Sequence, residues 1–204
     1  MKVRTGLRPL VKPLKLVGFV TREGRARLRR KAPEVFEFFR GFAVRTPADE
    51  ALIKPVLDLA SHDTTTRKNA INELKKVDDL RVVKPLICML KDPVTEVRIL
   101  AAYSLGVLKD IRAVNPLIDL LKDNEVKIRV AAATALGKFK LPEVAQALIE
   151  ATEDPETKVR VLAAMSLGNF VEYPQTRKAL ERLLKDPDDF VAAQAAFSLR
   201  SKKK

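Results

Sequence analysis

Polar and apolar positions along this chain fall into a pattern that recurs. VRILAAYSLG at 97–106 returns as IRVAAATALG at 128–137 and as VRVLAAMSLG at 159–168. A divergent copy, VAAQAAFSLR, lies at 191–200, and a fainter one, TRKNAINELK, at 66–75. Inside each copy the apolar residues follow helical spacing. Val97, Leu100, Ala101, Ser104, Leu105 and Leu108 share one stripe, and the stripe recurs as Ile128, Ala131, Ala132, Ala135, Leu136 and Phe139. Arg67, Arg98, Arg129 and Arg160 stand 31 residues apart. Self-similarity at a period between about 20 and 50 residues predicts an array of stacked supersecondary units rather than one closed globule.

A second helical segment precedes each of these. LRVVKPLICMLKD (80–92) and IRAVNPLIDLLKD (111–123) match almost residue for residue; PEVAQALIEATED (142–154) and TRKALERLLKD (176–186) complete the series. In the first unit the pattern predicts helix A over 49–60 and helix B over 65–77. The turns between A and B read Asp92-Pro93, Asp123-Asn124, Asp154-Pro155 and Asp186-Pro187, residue types that stop one helix and start another. No strand-like alternation of any length interrupts the units, so the expected fold is all-α: a solenoid of about five helix pairs over 49–200. Alanines and the small Gly106, Gly137 and Gly168 predict close approach of successive B helices. Before the array, PEVFEFFRGF places Val35, Phe36, Phe39 and Phe42 on one face, which predicts a capping helix and linker over 33–48 or an exposed aromatic contact.

Charge changes the picture more than composition does. The 204 residues are 47% hydrophobic with a formal net charge of +13. Residues 1–48 carry thirteen Lys/Arg against three acids, a net of +10, whereas 49–199 sum to −1 and the tail from Arg200 adds four cations. The repeats are neutral and the ends basic, with 1–32 as a basic arm and 201–204 as a basic tail. Such asymmetry points to a polyanionic partner, and Arg22, Arg25, Arg27, Arg29, Arg30 and Lys31 are its candidate ligands. No window reaches the ~18–20 uninterrupted apolar residues of a membrane span. The apolar run at 16–20 is too short for a secretory signal, and Pro9 and Pro13 interrupt any amphipathic transit-type or membrane-surface helix. One cysteine, Cys88, allows no internal disulfide and suits a reducing cytoplasm.

The two-helix units, with Pro-Leu-Ile in helix A and Val-Arg-x-x-Ala-Ala-x-x-Leu-Gly in helix B, resemble HEAT repeats. They are similar to the short HEAT-like type of phycobilisome-linker and bilin lyases. The resemblance covers about 49–200 and implies a right-handed α-solenoid whose B helices line the concave face. It also implies that Asp92/Arg98, Asp123/Arg129 and Asp154/Arg160 bond along the stack, with Ser61 and Ala192 breaking the series at its ends. Tyr103, Thr134, Met165 and Phe197, flanked by Val107, Lys138, Asn169 and Ser201, are then either an exposed protein-binding column or repeat-to-repeat packing.

Chemistry is sparse in this sequence. One His and one Cys make no metal cluster, and the repeated His-Glu pairs of HEAT-like deoxyhypusine hydroxylases do not occur. His62-Asp63 reads as a capping or surface pair, and Cys88 among Leu86, Ile87 and Met89 as a small buried thiol. There is no phosphate-cradling glycine loop, no GxSxG motif and no Ser/His/Asp set. With no Trp and two Tyr, base stacking is poorly served too. The expectation is a protein without catalysis, metal or cofactor: an adaptor that binds a protein on its solenoid and docks RNA, DNA or a ribonucleoprotein through the arm. The alternative is an accessory or assembly subunit of an enzyme complex that binds no nucleic acid.

Overall fold

The computed structural model describes residues 47–200, together with Arg29. The rest of the predicted arm, the aromatic segment at 33–46 and the tail at 201–204 lie outside the described residues. Ten α-helices form five consecutive pairs among the described residues. The A helices are α1 (Pro47–Asp58), α3 (Val83–Cys88), α5 (Val114–Asp119), α7 (Pro142–Ala151) and α9 (Pro174–Leu183). The B helices are α2 (Thr64–Leu74), α4 (Thr95–Leu108), α6 (Val126–Leu136), α8 (Thr157–Leu167) and α10 (Asp189–Arg200). The first pair starts at Pro47, two residues before the predicted boundary, and α2 ends at Leu74 rather than 77.

The A helices of the second and third units depart from the single long helix the pattern predicts. Each is a six-residue α-helix between two tight 3₁₀ turns, Leu80–Val82 and Met89–Lys91 around α3, Ile111–Ala113 and Leu120–Lys122 around α5. Pro85 and Pro116 sit near their starts. A proline offers no N–H and its ring crowds the carbonyl four residues back, so the preceding turn winds more tightly. Where the fourth unit lacks that proline, α7 runs uninterrupted over ten residues.

One continuous core threads the array, from Leu52 and Val56 in α1 through Leu86, Leu105, Leu117, Leu136 and Leu148 to Val191 and Ala195 in α10. No unit closes a core of its own; each helix pair covers the apolar face of the one before it. The B helices pack closely on one another along the whole row, whereas successive A helices touch little. The tighter B row is therefore the inner, concave side.

Glycine sets that tight spacing. A Cβ on Gly106 would stand 2.9 Å from the Ala135 Cα, and one on Gly137 would stand 2.4 Å from the Ser166 Oγ. Closeness in turn permits a bond between helices: the Ser166 hydroxyl donates to the Ala133 carbonyl at 3.0 Å and Ser198 to Ala164 at 2.9 Å. The corresponding Ser104 follows a helix with Lys75 at the glycine position, and it donates within its own helix to Leu100.

Candidate functional site

Two edges and one face of the solenoid carry its polar chemistry. Along the A-to-B turns runs an arginine–aspartate ladder. Arg67 grips Asp92 with two bonds, Nε to Oδ2 at 2.7 Å and Nη2 to Oδ1 at 2.9 Å. Arg129 holds Asp154 and Arg160 holds Asp186 in the same bidentate way. Each arginine also turns its Nη1 onto carbonyls of its own turn, Ser61 and His62 for Arg67, Asp123 and Asn124 for Arg129, Asp154 and Pro155 for Arg160. The aspartate meanwhile accepts from the backbone N–H two residues on, Val94 for Asp92, Glu156 for Asp154 and Asp188 for Asp186. One side chain thus shapes its own turn and anchors the preceding unit. In the last pair the Asp186 carboxylate holds the Arg160 guanidinium above its ordinary value, and Arg160 holds Asp186 below the usual carboxylate value.

The second rung differs from the expected pattern. Arg98 bonds the exposed carboxylate of Glu125 rather than Asp123, and its buried Nε has no partner. Asp123 only caps its own turn, accepting from the Glu125 N–H at 2.8 Å. This is the one A-to-B turn of the ladder in which Asn124 replaces the proline found at 93, 155 and 187. Both ends of the ladder are closed by substitution. Ser61 keeps the turn-capping role, accepting from the Asp63 N–H at 3.2 Å, but bears no charge for a preceding arginine. Ala192 occupies the arginine position of the fifth unit.

A second set of ties on the opposite, B-to-A edge escaped the sequence reading. Arg81 folds back on Asp79 and reaches Asp49 in the first unit at 2.7 Å; Arg112 folds back on Asp110 and reaches the Leu80 carbonyl at 2.6 Å. Arg81 holds Asp79 below its ordinary value, and Arg112 does the same to Asp110. Its signal was legible as Asp-Leu-Arg at 79–81 and Asp-Ile-Arg at 110–112, one period apart.

On the B face, Tyr103, Val107 and Met165 are exposed, as is Phe197 at the end of the row. Thr134 is half-buried and its hydroxyl is spent on the Val130 carbonyl. Lys138 and Asn169 are exposed, yet Asn169 also donates to the Gly137 carbonyl of the preceding unit at 3.0 Å. So the predicted column is neither all surface nor all packing: its apolar members face solvent, Thr134 bonds within its own helix, and Asn169 ties its unit to the preceding one. Ser201 lies outside the described residues.

Other candidates resolve into structure. Asp63 caps α2, accepting from the Thr66 N–H at 2.7 Å and from its hydroxyl at 2.6 Å, while His62 is exposed. Cys88 is half-buried rather than buried, and its thiol donates to the Lys84 carbonyl. Arg29 is helical and exposed; Arg22, Arg25, Arg27, Arg30 and Lys31 lie outside the described residues. Among the described residues no group of three His, Cys, Asp or Glu could hold a metal, and no helix is long and apolar enough to cross a membrane. The outer side carries a shallow open groove of about 660 Å³ between α7 and α9, floored by Ile149 and rimmed by Gln146, Gln175, Lys178, Arg182 and Lys185.

The description of HEAT repeats matches residues 53–129 and 114–200, which together span most of the chain. The chain belongs to the HEAT-repeat family. Among curated proteins none matches it. A chain in the solved complex of CpcE and CpcF of phycocyanin lyase from Nostoc sp. PCC7120 is similar to this HEAT-repeat protein in fold, with a TM-score of 0.60 at 22% identity. That likeness covers 73% of this chain and 98% of the other. The repeats point to a role in protein interaction or assembly.

Proposed function

We propose that this HEAT-repeat protein is a non-catalytic accessory subunit that holds a partner protein, an enzyme or its target, against the inner face of the solenoid. The observation that carries the reading is the contrast between charge and apolar surface. The ladder arginines and Arg81 and Arg112 are engaged in ties within the chain, whereas Tyr103 and Val107 on α4 and Met165 on α8 face solvent along the B row. Exposed apolar and aromatic side chains grouped on one rigid face favour a protein surface as ligand. Likeness to a chain of the two-component complex CpcE–CpcF of phycocyanin lyase supports placing this protein within an enzyme complex, as one component working on another.

Tandem capture of the full chain from its native lysate, beside Tyr103→Glu and Met165→Glu, tests this. Lys178→Glu on the outer groove is the control. A partner retained at constant ratio by the wild type and control, and lost by both face variants with unchanged melting, fits the reading. Equal capture by all four chains would overturn it.

A further inference from the structure

The last helix is built differently from the B helices it follows. Phe190 is 79% exposed and Phe197 68% exposed, and Ala193 and Arg200 are exposed between and beyond them. At about 100° per residue these four lie within roughly a quarter of the helix circumference, forming one stripe. Beside it, positions that inner units bury are open: Leu184 is 45% exposed where Leu90 of the second unit is 4% exposed, and Leu199 is half-buried where Leu105, Leu136 and Leu167 are wholly buried. The open side of this helix thus presents two phenylalanines rather than polar residues.

Another unit of the same kind does not fit there. Each inner B helix offers the next unit an arginine for the ladder and a glycine for close approach. In α10 those positions hold Ala192 and Arg200. The stripe is instead complementary to itself turned end for end. It reads Asp189, Phe190, Ala193, Phe197, Arg200: acid, aromatic, small, aromatic, base. Laid antiparallel on a second copy, with the axis beside Ala193, each Phe190 meets the partner's Phe197. The small alanine sits where the two helices cross most closely, and Asp189 at each helix start faces the partner's Arg200. In a parallel arrangement like charges would meet instead. The acid also lies at a helix N-terminus and the base at a C-terminus, so charge and helix dipole favour the same antiparallel order.

We infer that α10 is the seat of a two-fold homodimer, in which two copies of this chain pack their last helices antiparallel through Phe190, Ala193 and Phe197, with Asp189 and Arg200 paired across the axis. Two-fold pairing of one patch with itself is the commonest way for soluble chains to associate. Phe197 also ends the B-face column, so this pairing covers that end of the row and leaves Tyr103, Val107 and Met165 of each copy open. Tyr103→Glu and Met165→Glu, which leave α10 unchanged, separate it from the partner-binding reading.

Sedimentation of the purified full chain over a wide concentration range measures it. The wild type is expected to reach twice the chain mass of 22.8 kDa, Phe197→Glu to stay monomeric, and Ile111→Glu, an exposed site far from α10, to dimerise as the wild type does. Charge reversal reads the orientation. Asp189→Lys alone and Arg200→Glu alone each set like charges against one another and weaken the dimer. Mixing the two variants restores it, because every cross-axis pair is then opposite in sign. Circular dichroism and melting of each variant confirm that it is folded. A wild type that stays monomeric throughout, single charge variants as dimeric as the wild type, a mixture no better than its components, or α10 covered by a different protein in the native complex would each overturn the inference.

Discussion

Three glycines in equivalent positions allow the close-packed B row to be tested with a single substitution. Gly106 lies inside α4, and Gly137 and Gly168 follow α6 and α8 with right-handed backbone that any residue adopts. Replacing glycine by alanine at such positions ordinarily stabilises by about 0.4–1 kcal/mol, because the unfolded chain loses freedom. None of the glycines described has a positive φ, so no backbone strain enters the comparison. What differs is the space. At Gly106 the new methyl meets the Cα, Cβ and carbonyl oxygen of Ala135 at 2.9, 3.0 and 3.1 Å. Backbone atoms cannot step aside alone, so α4 and α6 must separate along their contact. At Gly137 the methyl meets the Ser166 Oγ at 2.4 Å and its Cβ at 2.8 Å, so that hydroxyl is also pushed from its bond to Ala133. At Gly168 the nearest atoms, of Ser198, stand at 3.3 Å, a matter of tenths of an ångström. Overpacking costs about 1–3 kcal/mol, and loss of the Ser166 bond adds about 1 kcal/mol. Gly137→Ala should therefore lose about 2–3 kcal/mol, Gly106→Ala about 1–2, and Gly168→Ala almost nothing once the helix gain is counted. Urea unfolding of the full chain measures the series, with the slope checked for each variant because repeat arrays can unfold in parts. Ser166→Ala in the Gly137→Ala background should recover part of the loss, since it removes the 2.4 Å contact and leaves the 2.8 Å one. Equal effects at the three sites, or gains at all three, would refute a row spaced by its glycines.

Four further outcomes follow from the same geometry. Thr176 is wholly buried with an unpartnered hydroxyl, where the other units hold Val82, Ala113 and Val144; Thr176→Val should raise stability by about 1–3 kcal/mol, read as a melting point several degrees higher, and a lower one would count against it. Asp92 before Pro93 has φ −60° and ψ 141°, and Asp123 before Asn124 has φ −65° and ψ 145°, so Asn124→Pro fits the turn and should add about 0.4–1 kcal/mol by restricting the unfolded chain; a loss would mean that the second rung is weak for another reason. Asp186 titrates below its ordinary value beside Arg160, so its stabilising contribution is complete above the unfolded value of 3.8 and disappears as pH falls through the lower folded value; Asp186→Asn should flatten the acid limb of melting point against pH, and an unchanged limb would remove Asp186 from it. For the basic arm, Arg25, Arg27, Arg29 and Arg30 changed together to Gln should weaken and de-sensitise to salt any binding of a short RNA or DNA duplex, and identical salt slopes would dismiss the arm as its site.

Much of this molecule is legible before any coordinates because each unit is written five times. Repetition separates signal from local noise: the 31-residue period places the B helices, the glycines and the Asp-Pro turns together. What escaped has physical causes. Asp123 and Glu125 stand two residues apart and both carry the right charge for Arg98, so residue type alone does not choose between them. The Asp-x-Arg ties at 79–81 and 110–112 occur only twice, too few to stand out against thirty-nine Lys and Arg. The division of α3 and α5 by 3₁₀ turns accompanies Pro85 and Pro116, but α1 continues through Pro55, so a proline in this place does not by itself announce it in the sequence. The B-face column was equivocal because exposure depends on each side chain: Met165 projects, while Thr134 at the same position folds onto its own helix.

The divergent last copy then takes on a different meaning. VAAQAAFSLR looks like a B helix losing its pattern, yet its changes fall on particular positions. Those that bury against the preceding unit are kept, Val191, Ala195 and Ser198, all of them buried, with Ser198 still reaching back to the Ala164 carbonyl. The changed positions serve a following unit: arginine becomes Ala192 and glycine becomes Arg200. Random drift would be expected to damage the backward contacts as readily as the forward ones, and each lost backward contact would uncover core of the fourth unit. Instead the helix holds its neighbour and ends the ladder in the same ten residues. A polar surface would have been enough to terminate the array, so Phe190 and Phe197 are not explained by termination alone, and a second copy of the same helix is the surface that their spacing and flanking charges fit.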